Sequence, residues 1–407
     1  MSEKTLEERG ADIMYGVDKS IGATLLRPIL WVFSLLFYLV VTLRTRFYLS
    51  GVIDQADFST MLVSVGNLTT GGTGKTPVVE KLSHDLCQRG KNVAILTRGY
   101  KSKSLKNPQS WDGISPDEAY DLLPKVVSDH HRIHLRPPYS GDEPFMLAKN
   151  LPGVAVLADS NRVKSAQFAL DHLQSDLFIL DDGMQHLQLR HKFDIVLLDQ
   201  SKPFGINYLI PRGDLREPAR ELKRADLIII TKCKGPTTDA IYKRIRKYNP
   251  HAGIVECSHS PVQLVNQITG ESKPLSYLQD KYVYAFSGIA GPKSFEVLLE
   301  REGAKIAHHR TFPDHHNFTQ QHSDRIMDHA FRKDVDLIVT TEKDAVRFPT
   351  PQELDLPIYY LRIEIDIHLG QQHWDRAINT ICGASHLHPV EYGVQQLEHH
   401  TPARLPR

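Results

Sequence analysis

The chain has 407 residues, of which 41% are hydrophobic and 24% are charged, a balance typical of a globular protein. This length is enough for two domains. The formal net charge is only +1, so the overall charge does not indicate a nucleic-acid-binding protein. The four cysteines are far apart, with neither a CxxC pair nor a zinc-binding spacing, which favours reduced structural thiols in a cytosolic setting.

The N-terminal region differs in composition from the rest of the chain. Residues 28–43 (PILWVFSLLFYLVVTL) carry no charge, with Arg27 before them and Arg44 and Arg46 after them. The run is shorter than the roughly 20 residues that span a bilayer. Acidic residues before it disfavour a signal peptide. A buried core helix, a true span and a helix seated in one leaflet all remain open, and the aromatic residues and flanking arginines favour the last.

Short apolar runs follow this region and alternate with helical stretches. Such runs are typical of strands that are buried on both faces, so the pattern predicts a parallel sheet covered by helices on both sides. The predicted strands of this region are residues 60–65, 92–97, 154–157, 177–180, 195–198 and 227–230. A second α/β region is predicted from strands at 282–286, 337–340 and 358–361, with a helix near 292–301.

The segment 66–77 (GNLTTGGTGKTP), here called the phosphate loop, lies between a predicted strand and a predicted helix, as a P-loop requires. A glycine-rich turn lets successive backbone N–H groups point at phosphate oxygens. Lys75 is expected to bridge the β- and γ-phosphates, and the Thr76 hydroxyl to bind Mg²⁺. Thr69 stands where the strict motif has glycine, and the GGTGKT core resembles the variant loops of signal-recognition and Mrp-like ATPases. The expected nucleotide-binding residues are Thr69, Thr70, Gly71, Gly72, Thr73, Gly74, Lys75 and Thr76.

The acidic pair Asp181-Asp182 directly follows the predicted strand at 177–180. A carboxylate at the end of a buried strand is the usual magnesium partner in a P-loop site. Such a residue is often only a helix cap, but the phosphate loop upstream favours the magnesium interpretation.

The nearest candidate for a guanine-reading [NT]KxD motif is Thr231-Lys232-Cys233-Lys234. Lys234 stands where the carboxylate that reads guanine should be. The sequence therefore argues against GTP as the nucleotide.

Four further polar segments have both a structural and a functional interpretation. The acidic residues of 141–144 (GDEP) could favour a helix N-terminus or supply a general base. Residues 314–316 (DHH) could be a solvated loop, with a metal site less favoured because no complementary cluster is evident. Residues 211–218 (PRGDLREP) form either a surface turn or phosphate contacts. Residues 98–100 (RGY) follow the second strand, at the edge where ligands bind in such sheets.

Taken in order, seven motifs resemble those of the tetraacyldisaccharide 4'-kinase family, the lipid A 4'-kinases. They are GNLTTGGTGKTP, TRGY, GDEP, LDDGMQH, PRGDLREP, FPDHHNF and TTEKDAVRF, and the resemblance covers about residues 20–350. It implies a P-loop NTPase-type parallel sheet between helices, a second, smaller α/β domain and an N-terminal membrane-associated helix. Many relatives read PLGPLREP where this chain has Arg212 and Asp214.

The pattern and the resemblance together predict five segments along the chain. They are a membrane-associated helix (1–50), a P-loop kinase domain (51–250), a two-stranded connector (251–275), a smaller α/β domain (276–385) and a disordered tail (386–407).

The resemblance also implies a reaction. ATP, with Mg²⁺, would phosphorylate the 4'-hydroxyl of a tetraacyldisaccharide 1-phosphate to form lipid IVA, at the cytoplasmic face of the inner membrane. The implied catalytic residues are Asp142 as the base, His315 as its assistant, and Lys75. The implied substrate or phosphate contacts are Tyr100, Glu143, Asn161, Arg162 and Arg216. The implied metal ligands are Thr76, Asp181, Asp182 and Glu217.

The alternative to a kinase is a membrane-docked P-loop switch or targeting ATPase. It explains the GGTGKT core and the apolar helix, but it leaves GDEP and DHH without a role. For the kinase, the expected partners are the lipid disaccharide and the bilayer surface, with no nucleic acid and no protein partner implied.

Overall fold

The computed structural model describes residues 6–100, 102–105, 109–112, 114, 123–289, 291–314, 316–351 and 355–383. Within these residues, the strands form one thirteen-stranded sheet. The strands are β1 (Met61–Asn67), β2 (Val93–Thr97), β3 (Lys125–Ser128), β4 (Ala155–Ala158), β5 (Leu177–Asp181), β6 (Phe193–Asp199), β7 (Leu227–Thr231), β8 (Gly253–Asn266), β9 (Ser272–Pro274), β10 (Tyr282–Ser287), β11 (Lys305–Thr311), β12 (Leu337–Thr341) and β13 (Ile358–Leu369).

The strand order is β11-β10-β12-β13-β8-β7-β6-β1-β5-β2-β4-β3, with β9 paired to β8. Two parallel sections, β8 to β4 and β11 to β13, meet where the long strands β8 and β13 pair antiparallel. The predicted parallel α/β class is confirmed by this arrangement. The antiparallel pair and the antiparallel edge strand β3 are additions that the sequence pattern did not predict.

Helices cover both faces of the sheet, which explains why its central strands are apolar at nearly every position. The helices are α1 (Leu6–Tyr15), α2 (Ile21–Leu49), α3 (Lys75–Gln88), α4 (Asp142–Asn150), α5 (Arg162–Leu173), α6 (Asp239–Tyr248), α7 (Pro292–Arg301), α8 (Gln320–Arg332), α9 (Glu342–Arg347) and α10 (Gln371–Gly383). In the first section, α3, α4 and α10 pack on one face, and α5 and α6 pack on the other.

Helix α2 is longer than the uncharged run that predicted it. It has 29 residues, and Ser20 caps its N-terminus by accepting a hydrogen bond from the Ala23 backbone at 3.2 Å. Among the described residues, α2 is the one helix that is both long enough and apolar enough to cross a membrane. Because a helix can continue through flanking polar residues that are capped and solvated, the apolar run alone underestimated its length.

One side of α2 lies against the protein. Ser34 Oγ donates to the Leu209 carbonyl at 2.7 Å, and Arg220 donates to Tyr38 Oη at 2.6 Å and to Thr42 Oγ1 at 3.1 Å. These side chains are spaced four residues apart, so they form a polar stripe on one face of the helix. The remaining faces expose large apolar side chains: Leu25, Ile29, Val32, Phe33, Leu36, Leu39 and Val40.

A buried ion-pair network joins the two sheet sections. Arg362 of β13 donates to Glu80 of α3 at 2.6 Å and to both carboxylate oxygens of Glu342 at 3.1 and 3.0 Å. Asn150, at the end of α4, donates to the same two glutamates at 2.9 and 2.7 Å. Burial raises the pKa of Glu80, and the Arg362 charge opposes that rise. The network therefore ties the helix after the phosphate loop to the second section.

Replacing Arg362 with methionine should destabilise the protein by about 3–5 kcal/mol, because Glu80 and Glu342 would stay buried without their cation. The loss would be read as a lower urea midpoint of unfolding. Arg332→Met is the matched control, since Arg332 pairs with Asp328 on the exposed side of α8, where such pairs contribute about 0–1 kcal/mol. Equal midpoints for the two variants would show that the network adds no stability.

Candidate active site

The phosphate loop lies at the carboxyl ends of the central parallel strands, where ligands bind in such sheets. It leaves β1 at Asn67, whose side-chain amide donates to the Thr69 carbonyl at 2.8 Å. A second segment holds the loop from the side, because the Thr70 backbone donates to the Asp214 carbonyl at 2.6 Å. The Arg216 backbone in turn donates to the Leu68 carbonyl at 2.7 Å. The PRGDLREP turn is therefore part of the loop's wall rather than a free surface turn.

The far side of the loop is held by the residues that resemble a guanine-reading motif. Thr231 Oγ1 donates to the Thr73 carbonyl at 2.7 Å. Lys232 Nζ donates to the Gly72 carbonyl and pairs with Asp199 at 2.7 Å. In this chain the Thr-Lys pair thus braces the phosphate loop.

The last residue of the loop before α3 must be glycine for two reasons. Gly74 has a φ of +81°, and a Cβ placed on it would come within 2.4 Å of the His259 ring. Burial lowers the pKa of His259 to about 4, so that a neutral imidazole packs against the loop. His259 comes from β8, almost 190 residues after the loop, and no local motif marked it.

Lys75, Asp182 and Arg216 form one polar cluster beside the loop. Lys75 Nζ lies 3.4 Å from Asp182 Oδ1 and donates to Asn67 Oδ1 at 3.1 Å. Arg216 donates through both Nη atoms to the two carboxylate oxygens of Asp182, at 2.9 Å each, and through Nε to the Thr69 carbonyl at 3.1 Å. The two cations therefore converge where the phosphates of a bound nucleotide would be placed.

The two neighbouring aspartates have opposite electrostatics. Burial raises the pKa of Asp181 to about 7, and Glu143 adds to the rise. Burial also disfavours ionised Asp182, but the Arg216 hydrogen bonds and the Lys75 charge outweigh it and hold the pKa of Asp182 well below its usual range. The Lys75 charge opposes the rise at Asp181 without cancelling it, so Asp181 is the carboxylate whose burial is not offset by positive charge.

These side chains suit a magnesium ion in the manner of other P-loop sites. Asp181 and Thr76 are both buried at this end of the sheet, and an added cation would favour the ionised form of Asp181. Among the described residues, no group of three or more His, Cys, Asp or Glu side chains forms a closed metal cage. Mg²⁺ typically needs only one or two protein ligands, because water and substrate phosphates supply the others.

Glu217, the fourth expected metal ligand, is nearly fully buried and paired with Arg224. Burial raises its pKa, and the Arg224 charge opposes that rise. In this structure the carboxylate therefore has an arginine partner, and its role at a metal stays a prediction.

A second cluster of basic side chains lies near the aspartate pair. Asn161 caps α5 by accepting a hydrogen bond from the Lys164 backbone at 3.1 Å. Arg162 is buried, and its Nε has no hydrogen-bond partner among the described residues. Burial, with the Arg98 charge, lowers the pKa of Arg162. Arg162 Nη1 donates to the Ser160 carbonyl at 3.2 Å, so the buried guanidinium group is only partly hydrogen-bonded. Such a group is suited to hold an anionic group of a substrate.

Asp142 is the first residue of α4, so the GDEP segment opens a helix as its structural interpretation predicted. Arg347 Nε lies 3.5 Å from Asp142 Oδ2, and Arg347 Nη1 donates to the His316 carbonyl at 3.1 Å. Lys343 donates to Glu143 at 2.8 Å. The second section thus contributes side chains directly beside the candidate base.

Tyr100 and His315 are the remaining two expected site residues. Tyr100 lies just after β2 and is 63% exposed, at the same edge of the sheet as the phosphate loop. His315 lies outside the described residues, while its neighbour His316 stacks on Phe312 with ring centres 4.7 Å apart.

The site combines a phosphate loop that opens a helix, an acidic pair at the end of the neighbouring strand in the sheet, and two convergent cations. This combination defines a P-loop phosphotransferase. The model of the family "Tetraacyldisaccharide-1-P 4'-kinase" matches residues 26–382. The chain therefore belongs to this family and is a kinase, so the sequence resemblance and the predicted enzyme class are confirmed.

Individual relatives agree with the family model. The chain is 34% identical over 381 residues to the tetraacyldisaccharide 4'-kinase of Halothermothrix orenii, covering 89% of this chain and 95% of that protein. It is 36% identical over 364 residues to the same enzyme of an Anaeromyxobacter species, covering 88% and 92%. A similar solved structure is the "apo" form of LpxK from Aquifex aeolicus in complex with ATP. It has a TM-score of 0.67 and 28% identity, and covers 88% of this chain and 99% of that one.

Proposed function

We propose that this kinase transfers the γ-phosphate of ATP, with Mg²⁺, to the 4'-hydroxyl of a tetraacyldisaccharide 1-phosphate, giving lipid IVA. Family membership supports the acceptor, and the ATP complex of the Aquifex aeolicus relative supports the nucleotide. The observation that carries the proposal is that two cations beside the phosphate loop, Lys75 and Arg216, and a separate carboxylate, Asp142, lie at the same end of the sheet. A nucleotide switch would need no such carboxylate.

The transfer has a simple balance of bonds. The acceptor oxygen forms a bond to the γ-phosphorus, the bond from that phosphorus to the bridging oxygen of ADP breaks, and the hydroxyl proton passes to the Asp142 carboxylate. Lys75, Arg216 and the backbone N–H groups of the loop hold the phosphates in line with the hydroxyl. Thr76 and the strand-end aspartates would hold Mg²⁺, which would supply further positive charge beside the phosphates.

An open cavity of about 600 Å³ lies between the end of α2 and the start of α5. It is lined by Tyr48 at the end of α2 and by Ser160 and Asn161 at the start of α5. We infer that the disaccharide enters here, with Arg162 holding a phosphate and Tyr100 and Glu143 contacting the sugar. The acyl chains would stay in the bilayer beside α2.

We infer further that α2 is seated in one leaflet of the inner membrane, at the cytoplasmic face where ATP is present. The polar stripe of Ser34, Tyr38 and Thr42 is hydrogen-bonded to the protein, which leaves the other faces of the helix for lipid. A helix with one docked face and one apolar face suits an interface better than an isolated span.

Placing lysines on the lipid-facing side, in the triple variant Phe33→Lys, Leu36→Lys and Val40→Lys, should release the protein from vesicles. Each substitution removes an apolar side chain whose burial is worth about 1.5–3 kcal/mol. ATP affinity should stay unchanged, because none of the three contacts the phosphate loop. Val297→Lys, on an exposed apolar position of α7, is the control and should still pellet with vesicles. Pelleting of the triple variant would mean that another surface anchors the chain.

The direct test is incubation with radiolabelled ATP and the lipid disaccharide 1-phosphate in mixed micelles. Label transferred to the lipid, with ADP formed in equal amount, is the expected result. ATP turnover that ignores the lipid would favour a switch or targeting ATPase instead.

A further inference from the structure

Helix α9 lies beside α4 and contacts it along its length. Glu342 accepts a hydrogen bond from Asn150 at 2.7 Å, Lys343 donates to Glu143 at 2.8 Å, and Arg347 reaches Asp142 at 3.5 Å. One short helix of the second section is therefore aligned with the whole helix that carries the candidate base.

Arg347 differs from the other contacts because its guanidinium group is enclosed. Its side chain is only 8% exposed. Nη2 pairs with Asp344 at 2.7 Å, Nη1 donates to the His316 carbonyl at 3.1 Å, and Nε donates to the Lys343 carbonyl at 3.1 Å while facing Asp142. A planar group with all its nitrogens engaged has one orientation.

Asp344 fixes that orientation from behind. It is completely buried and accepts hydrogen bonds from the Gly288 backbone at 2.9 Å and from Thr341 Oγ1 at 2.6 Å. A Cβ at Gly288 would lie 3.2 Å from the Pro313 carbonyl and 3.4 Å from His316. Pro313 and His316 are thus packed against the same cluster that holds Arg347.

We propose that Arg347 is a positioning residue for phosphoryl transfer, holding the Asp142 carboxylate and the backbone at His316 in one arrangement. The proposal rests on the proposed function, in which Asp142 takes the acceptor proton. The Arg347 guanidinium group spans the junction between the two sheet sections, so the distance from the Asp142 carboxylate to His316 depends on it. Lys343 is less suited to this task, because its pair with Glu143 is more than one-third exposed on both sides.

Arg347→Gln should lower kcat by about 10²-fold, the usual effect of displacing a reacting group by an ångström. The Kd for ATP should stay within twofold of wild type, because Arg347 lies away from the phosphate loop's own contacts. Arg332→Gln, an exposed arginine on α8, is the matched control and should leave kcat unchanged. Arg347→Lys keeps the charge but cannot reproduce the planar set of donors of a guanidinium group. We therefore expect a loss of kcat that is smaller than the loss caused by Arg347→Gln. An Arg347→Lys enzyme that equals wild type would overturn the proposal, and it provides this test even where the glutamine variant does not fold.

The decisive comparison repeats Arg347→Gln in an Asp142→Asn background. If Arg347 acts through Asp142, adding Arg347→Gln to the Asp142→Asn enzyme should change the residual kcat by less than threefold. A further 10²-fold loss of kcat in the double variant would overturn the positioning role of Arg347. The measurements test the role of Asp142 as the base and the role of Arg347 as a positioning residue independently. Wild-type kcat for Asp142→Asn would remove the base from the proposed function. An impaired Asp142→Asn enzyme together with a fully active Arg347→Gln enzyme would remove Arg347 alone.

Discussion

Replacing Lys75 with alanine should lower kcat by about 10²–10³-fold, the range seen when one preorganised donor to a developing charge is removed. Lys75 Nζ stands between Asp182 and Asn67 at the mouth of the phosphate loop, and its side chain is only 18% exposed. A cation held there would act on the γ-phosphate during transfer more than on the adenosine part of ATP. The loss should therefore fall on kcat more than on ATP affinity.

The Lys75→Ala protein should remain folded. Asp182, which Lys75 contacts, keeps both hydrogen bonds from Arg216, so this carboxylate still has a cationic partner. Lys81→Ala is the matched control on the same helix, because Lys81 pairs with Asp85 on the far side from the loop. Unfolding midpoints and steady-state rates of both variants would be compared. A Lys75→Ala rate within threefold of wild type would remove this lysine from the mechanism.

The phosphate loop could be predicted from sequence because its chemistry is local. Its glycines, lysine and threonine lie within one turn of chain, between a strand and a helix that have their own periodic patterns. The acidic pair at 181–182 could be found for the same reason, since it ends a short apolar run. In both cases the residues that act together are close neighbours in the chain.

The parts that escaped prediction depend on distant contacts. His259 of β8 packs on Gly74 of the phosphate loop, and no local signal marks this contact. The junction of β8 with β13 joins two sections whose strands are each ordinary in sequence. Arg347 lies within TTEKDAVRF, but the sequence gives no local signal for its contact with Asp142, about 200 residues away. The five predicted segment limits along the chain stay predictions.

Asp142→Asn should lower kcat by about 10²–10⁴-fold, the usual contribution of a general base, with little change in ATP affinity. A sugar hydroxyl is a weak nucleophile, and Asp142 is the carboxylate that the helix α4 directs toward the junction of the two sections. An amide is nearly the same size, so the helix start and its packing should survive. The matched control is Asp171→Asn, on the exposed side of α5, where the carboxylate contacts only Gln167 in the described residues.

His315→Ala should lower kcat in the same way, since the resemblance gives this histidine the task of assisting the base. When two residues act as a unit, removing either one removes most of their joint contribution to kcat. The double variant Asp142→Asn, His315→Ala should therefore be scarcely slower than the slower single variant. The comparison is a double-mutant cycle on kcat, with ATP affinity measured in each variant. Losses that multiply would mean that the two residues act independently, and His315 would then be assigned to substrate binding or to the structure of its loop.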